Sequence, residues 1–144
     1  DEQKVNKLII RTAVRVKLHW SQRQVLDFLD MLMATQAVYR ENIQRIGNAY
    51  GFNTSSDPEV LLRWCLLLVR HNCQDDLPVI TRFLAAPGQD ASLVWQAMVA
   101  RSRQEPRWAF LAQEAFRLTE ASLEPEARQQ AEEILRTAKS DGPF

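Results

Sequence analysis

The side chains best suited to chemistry lie in one short segment, where His71 and Cys73 are followed by Asp75 and Asp76. A zinc site needs three or four converging ligands, and Cys65 is the nearest further donor. A Cys73–His71 nucleophile pair is the alternative, but side chains two residues apart on a helix diverge. We therefore interpret the segment as a helix end at which a cationic His71 suits the helix dipole. The sequence predicts no catalytic and no metal-binding residue.

The remaining inventory excludes several classes of protein. His19 and His71 are the only histidines, and neither belongs to an H-E-x-x-H motif. Eighteen basic residues balance eighteen acidic ones, which argues against nucleic acid as a partner. No apolar run approaches the roughly 20 residues that span a bilayer, so we expect no membrane partner. Two cysteines cannot form a disulfide framework. They favour a reducing, cytoplasmic location, although secretion stays open.

Aromatic and basic residues form the second group of candidates. The tryptophans fall on different predicted helices or helix starts: Trp20, Trp64, Trp95 and Trp108. Arg63 and Arg107 each adjoin a tryptophan, as in a platform for stacking bases, but adjacent helical residues point about 100° apart. We interpret the tryptophans as core anchors. Arg101, Arg103 and Arg107 are interpreted as a solvated helix end, with anion binding as the alternative.

Capping signals divide the chain into helices. Ser21 and Gln24 form a capping box, Gly51 is suited to a left-handed C-cap, and Asp57 with Pro58 marks a helix start. Further starts are expected at Asp75 or Asp76 before Pro78, at Asp90 or Ser92, at Glu105–Pro106 and at Glu124–Pro125. In the helix after Ser92, the side chains predicted to face inward are Leu93, Val94, Trp95, Met98 and Val99. The fold class is all-α, with about seven antiparallel helices of roughly 11–16 residues stacked as helical hairpins.

Residues 1–19 are predicted to be an N-terminal arm or linker, and residues 20–144 the helical domain. The arm has five cations against two carboxylates, a net charge of +3. Val14, Val16 and Leu18 alternate with basic residues as in a strand, whereas Lys7, Arg11 and Arg15 recur as in a basic helical stripe. A packing arm with solvated charges and a docking surface for an acidic partner both remain open.

A family resemblance rests on five segments in matching order. Asp57 to Arg70, with Glu59, Val60, Arg63 and Trp64, resembles a Ser/Asn-x-Glu-[Ile/Val]-x-x-Arg-Trp helix. That helix belongs to the C-terminal domain of the leukotriene hydrolase and aminopeptidase B branch of zinc aminopeptidases. The other segments are Trp20–Leu29, Tyr50–Asn53, Asp76–Leu84 and Glu120–Pro125, which is similar to the family's Lys-Ala-Ser-Met-His-Pro. The resemblance covers roughly residues 20–137.

The resemblance implies an armadillo- or HEAT-like α-α superhelix appended to a catalytic domain. The family's zinc ligands and glutamate base lie in that catalytic domain, so zinc is expected there and no cofactor in this segment. In leukotriene hydrolase a Gly-Arg-Met-Lys stretch supplies cations for a substrate carboxylate, and the nearest match here, Gly88-Gln89-Asp90-Ala91, has neither cation. A relative of aminopeptidase B, which removes N-terminal residues from peptides, fits better. The chain starts at Asp1 without Met or a signal peptide, so we expect a segment of a longer protein.

Two functional hypotheses follow. In the first, the chain is a non-catalytic domain whose partners are the catalytic domain of the same polypeptide and, through it, a peptide substrate. The docking surface is then expected near Gly88–Ser92, and the substrate-binding residues stay unassigned. In the second, the chain is a free-standing helical scaffold that binds protein partners.

Overall fold

The computed structural model describes residues 3, 4, 7, 20–35 and 38–140, with side chains to residue 138. Between residues 20 and 140 it contains seven α-helices. They are α1 (Gln22–Ala34), α2 (Arg40–Tyr50), α3 (Pro58–Arg70), α4 (Leu77–Ala85), α5 (Ser92–Ser102), α6 (Arg107–Thr119) and α7 (Pro125–Ser140). Three short 3-10 helices, Phe52–Thr54, Gln74–Asp76 and Glu120–Ser122, lie in the connections.

The all-α fold class is confirmed, since the described residues include no strand. Stacking of the helices as hairpins into a superhelix stays a prediction. Within the predicted arm only Gln3, Lys4 and Lys7 are described, and each is helical and exposed. The strand-like alternation around Val14 lies outside the described residues. No helix in the described part of the chain is long and apolar enough to cross a membrane.

Two compact units divide the chain at Leu67 and Leu68, within α3. In the first unit, the predicted caps are confirmed. The Ser21 hydroxyl accepts from the Gln24 amide at 3.2 Å, and the Gln24 side chain accepts from the Ser21 amide at 2.8 Å. Gly51 ends α2 with a left-handed φ of 71°, and Asp57 accepts from the Glu59 amide at 3.0 Å. These local hydrogen bonds satisfy backbone groups that a helix end leaves open.

The first unit is built around a chain of aromatic rings. The centroids of neighbouring rings lie 4.7 to 5.3 Å apart along Trp20, Phe28, Tyr50, Phe52 and Trp64. Burial raises the pKa of the Tyr50 hydroxyl to about 12, because the phenolate would lose its hydration. Aromatic pairs at such spacings add roughly 0.5–1.5 kcal/mol each beyond area burial, so this cluster anchors the first unit.

The second unit is centred on α6. In this unit α6 packs against α4 and α5, and α7 packs against α5 and α6. Its largest buried side chains include Phe83, Trp95, Met98, Trp108 and Phe116. Trp95 and Phe116 meet edge to face, with ring centroids 6.2 Å apart.

Two expectations about the second unit are wrong. Leu93 was predicted to face inward but is 52% exposed, whereas Val94, Trp95, Met98 and Val99 are buried as expected. Leu93 lies in the first turn of α5. Successive helical residues point about 100° apart, so Leu93, Val94 and Trp95 cannot all face the core. Val94 and Trp95 face it, and Leu93 lies on the outer face. The second difference is length, since α4 has 9 residues. Ala86 leaves the helical conformation with ψ of 132°, as expected for a residue before a proline.

Candidate functional site

The loop of residues 86–91 joins α4 to α5. With Ser92, the first residue of α5, it contains the Gly88–Ser92 stretch near which the sequence predicts a docking surface. Gly88 has a left-handed φ of 75°, and a side chain there would meet open space. Pro87, Gly88 and Asp90 are exposed. The loop therefore presents backbone and one carboxylate on an accessible surface of the second unit.

Asp90 is the charged group of this loop. Its Oδ1 accepts hydrogen bonds from the Ser92 amide at 3.0 Å and from the Ser92 hydroxyl at 2.7 Å. These two hydrogen bonds lower the pKa of the Asp90 carboxyl, so the loop carries a fixed negative charge at neutral pH. The geometry suits a cationic group on a ligand or partner and repels a carboxylate.

The His71–Cys73 segment forms the turn that ends α3. The Cys73 amide donates to the Leu68 carbonyl at 2.9 Å and the Asn72 amide to the Val69 carbonyl at 3.1 Å. This pair of bonds is a Schellman motif, which requires a left-handed residue at the position of Asn72. Asn72 has a φ of 60°, the only positive value at a non-glycine residue in the described chain.

His71 lies directly after the end of α3, as predicted, but its surroundings disfavour a charge. The side chain is half-buried, and its Nε2 is buried with no hydrogen-bond partner. Burial, together with the charges of Arg70 and Arg101, lowers the pKa of the imidazole. Desolvation and the two neighbouring cations thus act against the cationic form of His71 that was expected at this helix end.

The two cysteines lie in α3 and in the turn that follows it. Cys65 and Cys73 are both buried and form no disulfide, and the Cys73 Sγ lies 3.8 Å from the carbonyl oxygen of His71. In the described part of the chain, no three His, Cys, Asp or Glu side chains group as metal ligands.

Three of the tryptophans are core anchors, as predicted. Trp64, Trp95 and Trp108 are at most 2% exposed, which leaves no ring face for stacking a base. Trp20 is half-buried within the aromatic cluster of the first unit. Arg63 lies at the surface beside Trp64 and donates from Nε to Asp30 at 2.9 Å.

Three arginines lie between the last turn of α5 and the start of α6, and they differ in exposure. Arg101 is half-buried and donates to the Gln104 side chain at 2.8 Å, while Arg103 and Arg107 are exposed. The solvated helix end is confirmed for the two exposed residues. Anion binding there stays a prediction.

Two asparagines that were not predicted from the sequence accept hydrogen bonds from the buried indoles. Asn53 Oδ1 accepts from Trp64 Nε1 at 2.7 Å, and Asn72 Oδ1 accepts from Trp108 Nε1 at 2.8 Å. Asn72 Oδ1 also accepts from the Gln74 side chain at 2.8 Å. The available signal was an asparagine two or three residues after each helix end, where left-handed or turn conformations are common.

Comparison with known proteins gives one match. A family model described as leukotriene A4 hydrolase, C-terminal, matches residues 20–135, which is more than half of the chain. Comparisons with curated proteins and with solved structures gave no match. The matched range begins at Trp20, the first residue of the predicted helical domain, and ends within α7.

Proposed function

Because the chain belongs to the leukotriene A4 hydrolase C-terminal domain family, we propose that it is a non-catalytic domain of a zinc-dependent aminopeptidase. In this proposal it packs on the catalytic domain of the same polypeptide and forms one wall of the active-site cleft. The observation that carries the proposal is the match over residues 20–135. Zinc and its ligands would belong to the catalytic domain.

The chemistry of the described residues supports a structural role. The nucleophile and base candidates that lie close together in the described sequence are Cys73, which is buried, and His71, whose Nε2 is buried. A nucleophile and base must reach each other and a substrate to perform hydrolysis. The candidate site of this chain is therefore a surface that contacts other polypeptide.

Asp90 supports peptides over fatty acids as the substrate class of the parent protein. The family stretch with an arginine and a lysine corresponds here to Gly88–Ala91, which contributes a carboxylate instead. The lowered pKa of Asp90 keeps this charge at neutral pH. A peptide with a cationic N-terminus or side chain is attracted to such a surface, while a fatty-acid carboxylate is repelled.

The proposal is tested by mixing the chain with the recombinant catalytic domain. We expect the chain alone to hydrolyse no aminoacyl amide and to contain no stoichiometric zinc by elemental analysis. We expect it to co-sediment with the catalytic domain and to raise the rate of peptide hydrolysis by that domain. Zinc at one ion per purified chain, or turnover by the chain alone, would overturn the proposal.

A pair of charge variants tests the loop. Asp90→Lys reverses the charge of the loop, and Glu126→Lys makes the same change at an exposed position of α7. With a peptide that carries an N-terminal arginine, we expect Asp90→Lys to raise KM and Glu126→Lys to leave it unchanged. Equal KM values for both variants would remove Asp90 from the substrate path.

The second candidate function is a scaffold that binds protein partners. It is favoured by two apolar side chains at the surface, Phe110 and Leu118, which are 76% and 54% exposed. The same sedimentation experiment separates the two functions. Absence of association with the catalytic domain at high micromolar concentration would favour the scaffold.

A further inference from the structure

Helix α6 has apolar side chains on two opposite faces. Its inner face is buried through Trp108, Ala112, Ala115, Phe116 and Thr119. Its outer face lines a surface groove of about 580 Å³. The groove contains the most exposed large apolar residue in the described chain, Phe110 at 76% exposure. Burial within the second unit accounts for the first face only.

Four residues along this groove are arranged so that two apolar side chains lie between a cation and an anion. We name Arg107, Phe110, Leu111 and Glu114 the α6 outer stripe. They follow as cation, apolar, apolar and anion, with intervals of three, one and three residues. Residues three and four apart share a helix face, so all four side chains lie on one surface. The order is symmetrical about the midpoint between Phe110 and Leu111, with opposite charges at its two ends.

The two charges are available to a partner. Arg107 is exposed, and no described carboxylate forms an ion pair with it. Glu114 accepts from Arg117 Nε at 3.0 Å and from its terminal nitrogen at 2.5 Å. These hydrogen bonds lower the pKa of Glu114 and keep it ionised. A carboxylate has about four lone-pair sites, so Glu114 can accept from a further guanidinium.

We propose that a second copy of this chain covers the α6 outer stripe, through an antiparallel contact of α6 with α6. A two-fold axis through the midpoint of the stripe places Arg107 of each copy against Glu114 of the other. It also places Phe110 against Leu111 of the second copy. An isologous interface requires such a self-complementary surface, and an unrelated partner would not. The contact is separate from docking on a catalytic domain and goes beyond the proposed function.

The area of the stripe determines how strong this contact is. Two helical turns bury less than the roughly 1,000 Å² typical of a stable interface. The dimer is therefore weak and depends on concentration. Because opposite charges align it, its dissociation constant rises with ionic strength.

The proposal is tested by sedimentation of the chain at concentrations up to about 1 mM. Dissociation constants of weak complexes lie in this range. We expect the wild-type chain to form dimers as concentration rises. Arg107→Glu places carboxylates opposite Glu114 in both contacts, and Glu114→Arg places guanidinium groups opposite Arg107. Each variant alone should dimerise at least about tenfold more weakly, because like charges then face each other. Arg128→Glu makes the same charge change on α7 outside the stripe and should dimerise like the wild type.

Mixing the two stripe variants gives the decisive measurement. In a heterodimer of Arg107→Glu with Glu114→Arg, both contacts again join opposite charges, so association should return. Circular dichroism of each variant checks that the helices are retained. A wild-type chain that stays monomeric at about 1 mM, the range of weak complexes, would overturn the proposal. So would folded stripe variants that fail to associate when mixed. Neither result bears on docking to the catalytic domain, which is measured separately.

Discussion

Each unit buries a tryptophan whose indole N–H needs a hydrogen-bond acceptor, and the two units provide that acceptor differently. In the first unit, Trp64 donates to Asn53, which is 11 residues away on a 3-10 turn. In the second unit, Trp108 donates to Asn72, which is 36 residues away in the left-handed conformation. Asn53 provides an acceptor, whereas Asn72 provides both an acceptor and a helix C-cap. The second unit thus depends more heavily on one side chain.

Asn72→Ala is expected to have the largest effect on stability. The substitution removes the acceptor of a fully buried indole N–H. It also places alanine at a φ of 60°, where alanine has no polar side chain to form a local hydrogen bond. The expected loss is about 3 kcal/mol of the free energy of unfolding, from the unsatisfied donor and the backbone strain together. Urea denaturation followed by tryptophan fluorescence measures it.

Two further variants separate these contributions. Asn72→Gly relieves the backbone strain and leaves the indole unsatisfied, so it should be about 1 kcal/mol more stable than Asn72→Ala. Asn72→Asp retains an acceptor and tolerates the left-handed conformation, so it should be the least harmful. If Asn72→Ala and Asn72→Gly were equally stable, the left-handed cap would contribute nothing.

Gly47→Ala tests the close packing of the first unit. A Cβ at Gly47 would lie 2.6 Å from Cζ2 of Trp64, whose ring is fully buried and cannot swing away. We expect a loss of about 2 kcal/mol from overpacking, measured by the same denaturation. Gly88→Ala is the contrasting variant, since a side chain there meets open space and only the φ of 75° resists it. A Gly47→Ala chain as stable as the wild type would show that the ring can move.

Asn53→Ala should cost less than Asn72→Ala. It leaves the Trp64 indole without its acceptor but creates no left-handed strain, so about 1.5 kcal/mol is expected. A loss equal to that of Asn72→Ala would remove the distinction between the two units. The comparison is made at the same temperature and pH by urea denaturation.

The pH dependence of His71 should be the smallest effect. Because burial and two arginines lower its pKa in the folded chain, the unfolded chain binds a proton more readily. Stability is therefore fully present above the ordinary value of 6.5 and falls as pH decreases through and below it. Denaturation at pH 7.5 and at about pH 5.5 measures the decrease in the free energy of unfolding. This pH interval lies above the range in which carboxylates titrate.

His71→Gln is the matched control for this titration. It removes the titrating group and should flatten the pH dependence in that range. An unchanged slope in His71→Gln would assign the dependence to other groups, and a slope of the opposite sign would contradict the lowered pKa.

Local signals predicted the helix boundaries well. Ser21, Gly51 and Asp57 perform their capping roles because a cap joins groups only a few residues apart, so the relevant atoms are neighbours in sequence. The loop at Asp90 was predicted as a docking surface from the resemblance, and that role stays a prediction.

Partners distant in sequence could not be read in the same way. Leu93 and Val94 are both apolar, and the choice of which one is buried depends on where neighbouring helices pack. The charge of His71 depends on Arg101, which is 30 residues away, and on burial that no local pattern encodes.

The amino-acid order by itself determined the helical class, the caps and the family, because each depends on short-range hydrogen bonds or on ordered motifs along the chain. Tertiary structure decided the acceptor role of Asn72, the lowered pKa of His71 and the exposure of Phe110. These properties arise when distant residues exclude water from a group or leave it in water. Desolvation is a property of the packed molecule, so it is fixed only when the helices come together.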